Sequence, residues 1–136
     1  MVITVLMALH LAAANPAPPL GELPQQEMTA GQCALFLWDR ATGKRIAMLM
    51  PVPPSMRAVI DGRLTDLPRE AADGTAVMGF APNSRYRSAN RNYDIRLTIL
   101  PATTGGAVVR DGSLTITEND GSALVLSVAG LAGCPQ

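Results

Sequence analysis

The chain predicts an all-β domain, a small antiparallel sandwich or barrel-like meander of about eight short strands with its terminal strands tied by a disulfide. Short apolar runs alternate with turn residues roughly every 8–12 positions, the spacing of sandwiches and small barrels. No long stretch carries a helical period. The only two cysteines, Cys33 and Cys134, flank the folded body. They lie too far apart for a CxxC redox motif, and an exported chain uses such a pair as a structural bridge. That bridge requires the first and last strands to approach within about 7 Å between Cα atoms. A closed barrel satisfies this, as does a sandwich with adjacent terminal strands.

The elements follow in chain order. Val2–Ala14 is almost wholly apolar but shorter than the roughly 20 residues that span a bilayer. With small residues at Ala12–Ala14, residues 1–14 read as a signal peptide, although no Lys or Arg precedes the apolar run. Pro16, Pro18, Pro19 and Pro24 make residues 15–30 a Pro-rich flexible spacer, leaving residues 31–136 as a single β-domain. Cys33–Trp38 is apolar on both faces and reads as a central strand. Residues 39–44 form a polar turn, and residues 45–50 return as a strand that Pro51, Pro53 and Pro54 stop. Met56–Ile60 is a third strand, closed by the hairpin signal Asp61-Gly62.

Residues 66–74 are compatible with a short helix capped by Asp66 or with a plain loop. Thr75–Phe80 reads as a strand, and Ala81–Asn92 as polar and irregular. Tyr93, Ile95, Leu97 and Ile99 alternate with polar residues, the pattern of a half-buried strand. After a loop at 101–106, Ala107–Arg110 is a short strand and Asp111-Gly112 a second hairpin signal. Ser113–Glu118 and Ser122–Val128, joined by the Asn119-Asp120-Gly121 turn, complete the meander.

Composition narrows the chemistry. Eleven basic and eleven acidic residues cancel, which argues against a nucleic-acid binder. The single histidine, His10, lies in the leader, so a mature chain has no ordinary base for Ser-His-Asp or Cys-His catalysis. Lys44, the only lysine, sits in a turn and is a poor candidate for Ser-Lys chemistry. Asp61, Asp66, Glu70 and Asp73, and likewise Asp111, Glu118 and Asp120, are the carboxylate clusters from which a hydrolase would have to draw, but nearly all read as turn residues. Met48 and Met50, with Met56 beyond the prolines, offer thioethers of the kind that bind Cu(I), yet methionine more often fills gaps in a core. No cofactor, metal or catalytic residue is expected.

One segment stands apart. Residues 85–96 hold Arg85, Arg87, Arg91 and Arg96 together with Tyr86 and Tyr93, the only two tyrosines. Guanidinium forks suit carboxylates and phosphates, and tyrosine offers a rigid contact surface. The expectation is a periplasmic or secreted, non-enzymatic binding module whose partner is an envelope protein or an anionic glycan or lipid head group. It has no nucleic-acid partner and no stable transmembrane insertion after leader cleavage. The alternatives are an inhibitor of a secreted or envelope hydrolase, of protease or lysozyme type, using an arm at Asn15–Glu27, and a carboxylate-based enzyme.

Overall fold

Turn chemistry and alternation generate a closed ring of strands. The computed structural model describes residues 19–135, and the expected leader at 1–14 lies outside them. Nine strands follow in order: β1 (Leu20–Gly21), β2 (Ala34–Asp39), β3 (Arg45–Pro51), β4 (Pro54–Ile60), β5 (Arg63–Asp73), β6 (Asn83–Arg87), β7 (Arg91–Pro101), β8 (Ala107–Glu118) and β9 (Ala123–Gly133). From β2 onward each strand pairs antiparallel with the next, and β9 returns to pair with β2, so eight strands close into a barrel. Of the two architectures the sequence allows, the barrel is the one adopted. The closing ladder runs from Ala34 opposite Gly133 to Asp39 opposite Val128. The Cys33–Cys134 disulfide locks its outer end, joining residues 101 positions apart.

Alternation sorts the side chains. Leu35, Leu37, Leu49, Met56, Ile95, Leu97, Leu114, Ile116 and Val128 are buried together inside the ring. Leu20 and Phe80 belong to the same cluster but come from outside the eight-strand meander. Leu20 enters beside Ile60 at one end of the barrel, and Phe80 enters from the β5–β6 connection at the other. The interior is therefore filled with side chains, as small eight-stranded barrels commonly are.

Four local readings differ from the structure. Residues 66–73 belong to β5 rather than to a helix or loop. Leu67 packs inward opposite Met56, and Pro68 falls where pairing with β4 ends and pairing with β6 begins, so its missing N–H breaks no continuous ladder. Thr75–Phe80 is not a strand. Met78 and Gly79 take φ of 55° and 84°, which turns the chain tightly between Val77 and Phe80. Within the stretch read as irregular, Asn83–Arg87 is a strand because Ser84 and Tyr86 alternate inward. Asp111-Gly112 makes a bulge within one long strand, not a hairpin. A Cβ on Gly112 would lie 2.8 Å from Leu97 Cδ2 and 3.2 Å from the Arg96 carbonyl, so a close approach of strands, not a reversal, uses this glycine. Asp61-Gly62 does form the expected hairpin, with φ of 50° and 79°.

The stretch expected to be a spacer also behaves differently where it is described. Leu20 and Gly21 pair with Ile60 and Val59, beyond the last residues of β4 that β3 engages, and the Leu23 N–H donates to the Arg45 carbonyl. The chain then crosses the outer face of β3 and β2 as a strap. Leu23 and Met28 pack there on Ala34, Phe36, Met48 and Met50. Proline and apolar residues together explain this: prolines keep the segment extended, and Leu20, Leu23 and Met28 give it something to bury.

A disulfide that closes a loop of this length is worth about 2–5 kcal/mol. Urea unfolding of the Cys33→Ser/Cys134→Ser variant is therefore expected to give a stability lower by about that amount than the oxidised protein. Equal midpoints and slopes would show that the bridge contributes nothing.

Candidate functional site

The alternation of β6 and β7 divides the Arg/Tyr segment between two environments. Tyr86 and Tyr93 lie directly opposite each other and both point into the barrel, where they are buried. Burial pushes the Tyr86 phenol above its ordinary range. The Tyr93 Oη has no hydrogen-bond partner among the described residues. Neither tyrosine is a surface contact; the expected aromatic platform is instead part of the core.

The arginines stay outside, and most meet carboxylates of their own chain. Arg85 Nε donates to Asp94 Oδ1 at 2.7 Å, the residue opposite it on β7, and this bond holds the guanidinium above its ordinary pKa. Arg87 Nη1 lies 3.8 Å from Glu70 Oε1. Arg96 is exposed and makes no ion pair among the described residues. Arg85, Arg96, Asp94, Asp73 and Asn83 line an open groove of about 360 Å³ over β5, β6 and β7, with Ala71 as part of its floor. The groove therefore presents both charge signs on a rigid strand surface. Arg87 sits beside it rather than in it.

Arg91 does something else. Beside Arg63–Pro68, β5 pairs with β4 but no longer with β6. Arg91 crosses that gap: its Nη1 donates to both carboxylate oxygens of Asp61 at 3.0 Å, and its Nε donates to Glu118 at 2.7 Å. Its side chain is only 19% exposed. The hydrogen bonds to Asp61 come first among the causes that hold its pKa well above the usual arginine value. This residue ties the β4–β5 hairpin to β7 and β8 across the gap in the wall.

Among Asp61, Asp66, Glu70 and Asp73, three are paired with arginines. Asp61 faces Arg91, Asp66 accepts from Arg57 Nε and Nη2 at 2.7 and 3.0 Å, and Glu70 faces Arg87. Asp66, Glu70 and Asp73 lie on a strand rather than on turns. Among the described residues, no three His, Cys, Asp or Glu side chains converge as a metal-holding group. Met48 and Met50 are buried beneath the strap with Met28, whereas Met56 faces the interior. Their placement is that of packing residues. No helix among the described residues is long and apolar enough to cross a membrane.

A second surface lies on β2, β9 and β8. Trp38, Val108, Ala129 and Leu131 line an open groove of about 660 Å³ beside the β8 bulge, with Arg40, Arg110 and Asp111 along its rim. Sequence reasoning placed Trp38 in the core or at its rim and did not single out Leu131. The available signal was Cys33–Trp38, apolar on both faces, because in a barrel only one of those faces is internal. No family model, curated protein or solved structure matches this chain.

Two outcomes follow from the ion pairs. Arg91→Ala is expected to lower stability by about 1–3 kcal/mol, since it removes charged hydrogen bonds from a half-buried position. Arg85→Ala, on an exposed strand face, is expected to cost clearly less than Arg91→Ala. Equal losses in urea unfolding would contradict the assigned roles. The second outcome concerns acid. Hydrogen bonding to Arg57 holds the Asp66 carboxyl below its ordinary range. Its stabilisation is thus fully present above the unfolded value of about 3.9 and is lost as pH falls through the lower folded value. Asp66→Asn is expected to flatten the stability curve below about pH 4 by less than about 1 kcal/mol, and an unchanged acid limb would remove this pair from the account.

Proposed function

We propose that this protein is an exported, non-enzymatic binding module that engages a protein partner in the cell envelope through the outer wall formed by β5, β6 and β7. The oxidising setting is implied by the disulfide. The observation that carries the reading is the mixed-charge groove: Arg96 without a carboxylate partner among the described residues, Arg85 already bridged to Asp94, and Asp73 on the opposite side. A polyanionic glycan or a lipid head group is served best by a uniformly basic face. Here Arg85 and Arg96 share the groove with Asp73 and Asp94, so the surface suits a protein face with both signs of charge. Rigid strands hold these groups, which limits the ordering cost of binding.

The reading as a hydrolase inhibitor loses one support. From Leu20 onward the supposed arm is packed on the barrel through Leu20 and Leu23 and is not free to enter a cleft.

The test is capture from a native envelope extract on the immobilised oxidised protein, repeated with Asp73→Arg, Arg96→Glu and, as a control away from the groove, Arg63→Glu. A protein retained by the wild type and by Arg63→Glu, but lost with either groove reversal and weakened by added salt, is the expected result. Retention that ignores both groove reversals, or binding to anionic vesicles with no retained protein, would overturn the assignment.

A further inference from the structure

The strap and the β-ladders define a continuous row of outward side chains across the barrel. Register places Met48, Phe36, Leu131, Val108 and Leu100 side by side on β3, β2, β9, β8 and β7. The chain covers only the first part of this row itself. Met48 is buried under Leu23 and Met28, and Phe36 is half-buried. Beyond Phe36 the strap is gone, and Leu131 is 54% exposed and Leu100 45%. Trp38 lies in the adjoining groove with Val108 and Ala129. An isolated exposed leucine is ordinary, but a row that links several apolar side chains to a half-buried tryptophan is a contact surface.

We propose that this bare wall of β2, β9 and β8 is the interface of a symmetric homodimer, with a second copy of the same chain as its occupant. Charge complementarity at the rim selects that occupant. A twofold contact meets its own patch and must therefore carry both members of each pair. Arg110 has no ion pair among the described residues, and the Asp111 side chain is 86% exposed with only a long 3.7 Å link to Arg40. Two copies related by a twofold axis bring each Arg110 toward the partner's Asp111. The formal net charge of zero leaves no long-range repulsion between copies. β5 and β6, which carry Asp73 and Arg85 of the charged groove, lie across the ring from β9 and β2. The dimer goes beyond the proposed function and is tested separately from it, since neither Asp73 nor Arg96 lines the Trp38 groove.

The experiment is sedimentation equilibrium of the oxidised protein over roughly 1 to 300 µM, with Trp38 fluorescence recorded across the same range. The wild type is expected to pass from monomer to dimer with a blue shift of the emission. Leu131→Arg and Asp111→Arg are each expected to weaken the dimer by about tenfold or more. The double exchange Arg110→Asp/Asp111→Arg restores the pairing and is expected to recover most of that loss. Leu64→Arg, at an equally exposed leucine on β5, is expected to leave association unchanged. Far-UV circular dichroism confirms that each variant is folded, and the exchange variant keeps the idea falsifiable even if Leu131→Arg fails to fold. A monomer at every concentration overturns the dimer. A dimer that survives both Leu131→Arg and Asp111→Arg, or that Leu64→Arg abolishes, overturns its placement.

Discussion

Pairing of the first and last strands of the meander is the constraint on which the molecule rests. A row of hairpins built from consecutive strands would leave two bare edges; joining β2 to β9 removes them and turns a sheet with two faces into a wall with an inside and an outside. Cys33 and Cys134 make that join covalent at one end of the ladder. Once the ring is closed, the alternating residues of every strand have one internal destination. Leu20 and Phe80 occupy its ends, so the interior is packed with side chains and the open grooves lie on the outer surface.

The outer surface is divided by where backbone pairing stops. β5 changes partner at Pro68, which leaves part of each of its edges without a strand beside it. Arg91 bridges one such stretch with side-chain hydrogen bonds to Asp61 and Glu118, doing the work of absent backbone pairs. On another side, β1 and the following strap fill the space beside Val59 and Ile60 and cover Met48 and Met50. What is left bare is a charged groove on β5–β7 and an apolar wall on β2, β9 and β8, which meet where β7 pairs with β8.

Most of the barrel was legible because alternation and turn chemistry are local. Tyr93–Ile99 and the Asp61-Gly62 and Asn119–Gly121 turns are where their patterns put them. Two of the failures come from information that is not local. Asp66–Asp73 carries helix-compatible residues, yet two neighbouring strands draw it into the wall. Asp111-Gly112 has the chemistry of a hairpin turn, but continuous pairing of β8 with β7 on one side and β9 on the other converts it to a bulge. The candidate site was half legible for the same reason. Composition marks residues 85–96 as unusual, while only the register tells that Tyr86 and Tyr93 face inward and that Arg91 meets Asp61, thirty positions away.

Native-state hydrogen exchange, read residue by residue on the oxidised protein, tests the closure most directly. The ladder amides of β2 and β9 are predicted to exchange only through global unfolding, as slowly as those at the centre of the β7–β8 pair, and to become faster once the disulfide is reduced. If β2 and β9 exchange rapidly in the oxidised protein while β7 and β8 remain protected, the sheet is open at that seam and the account of a closed wall is wrong.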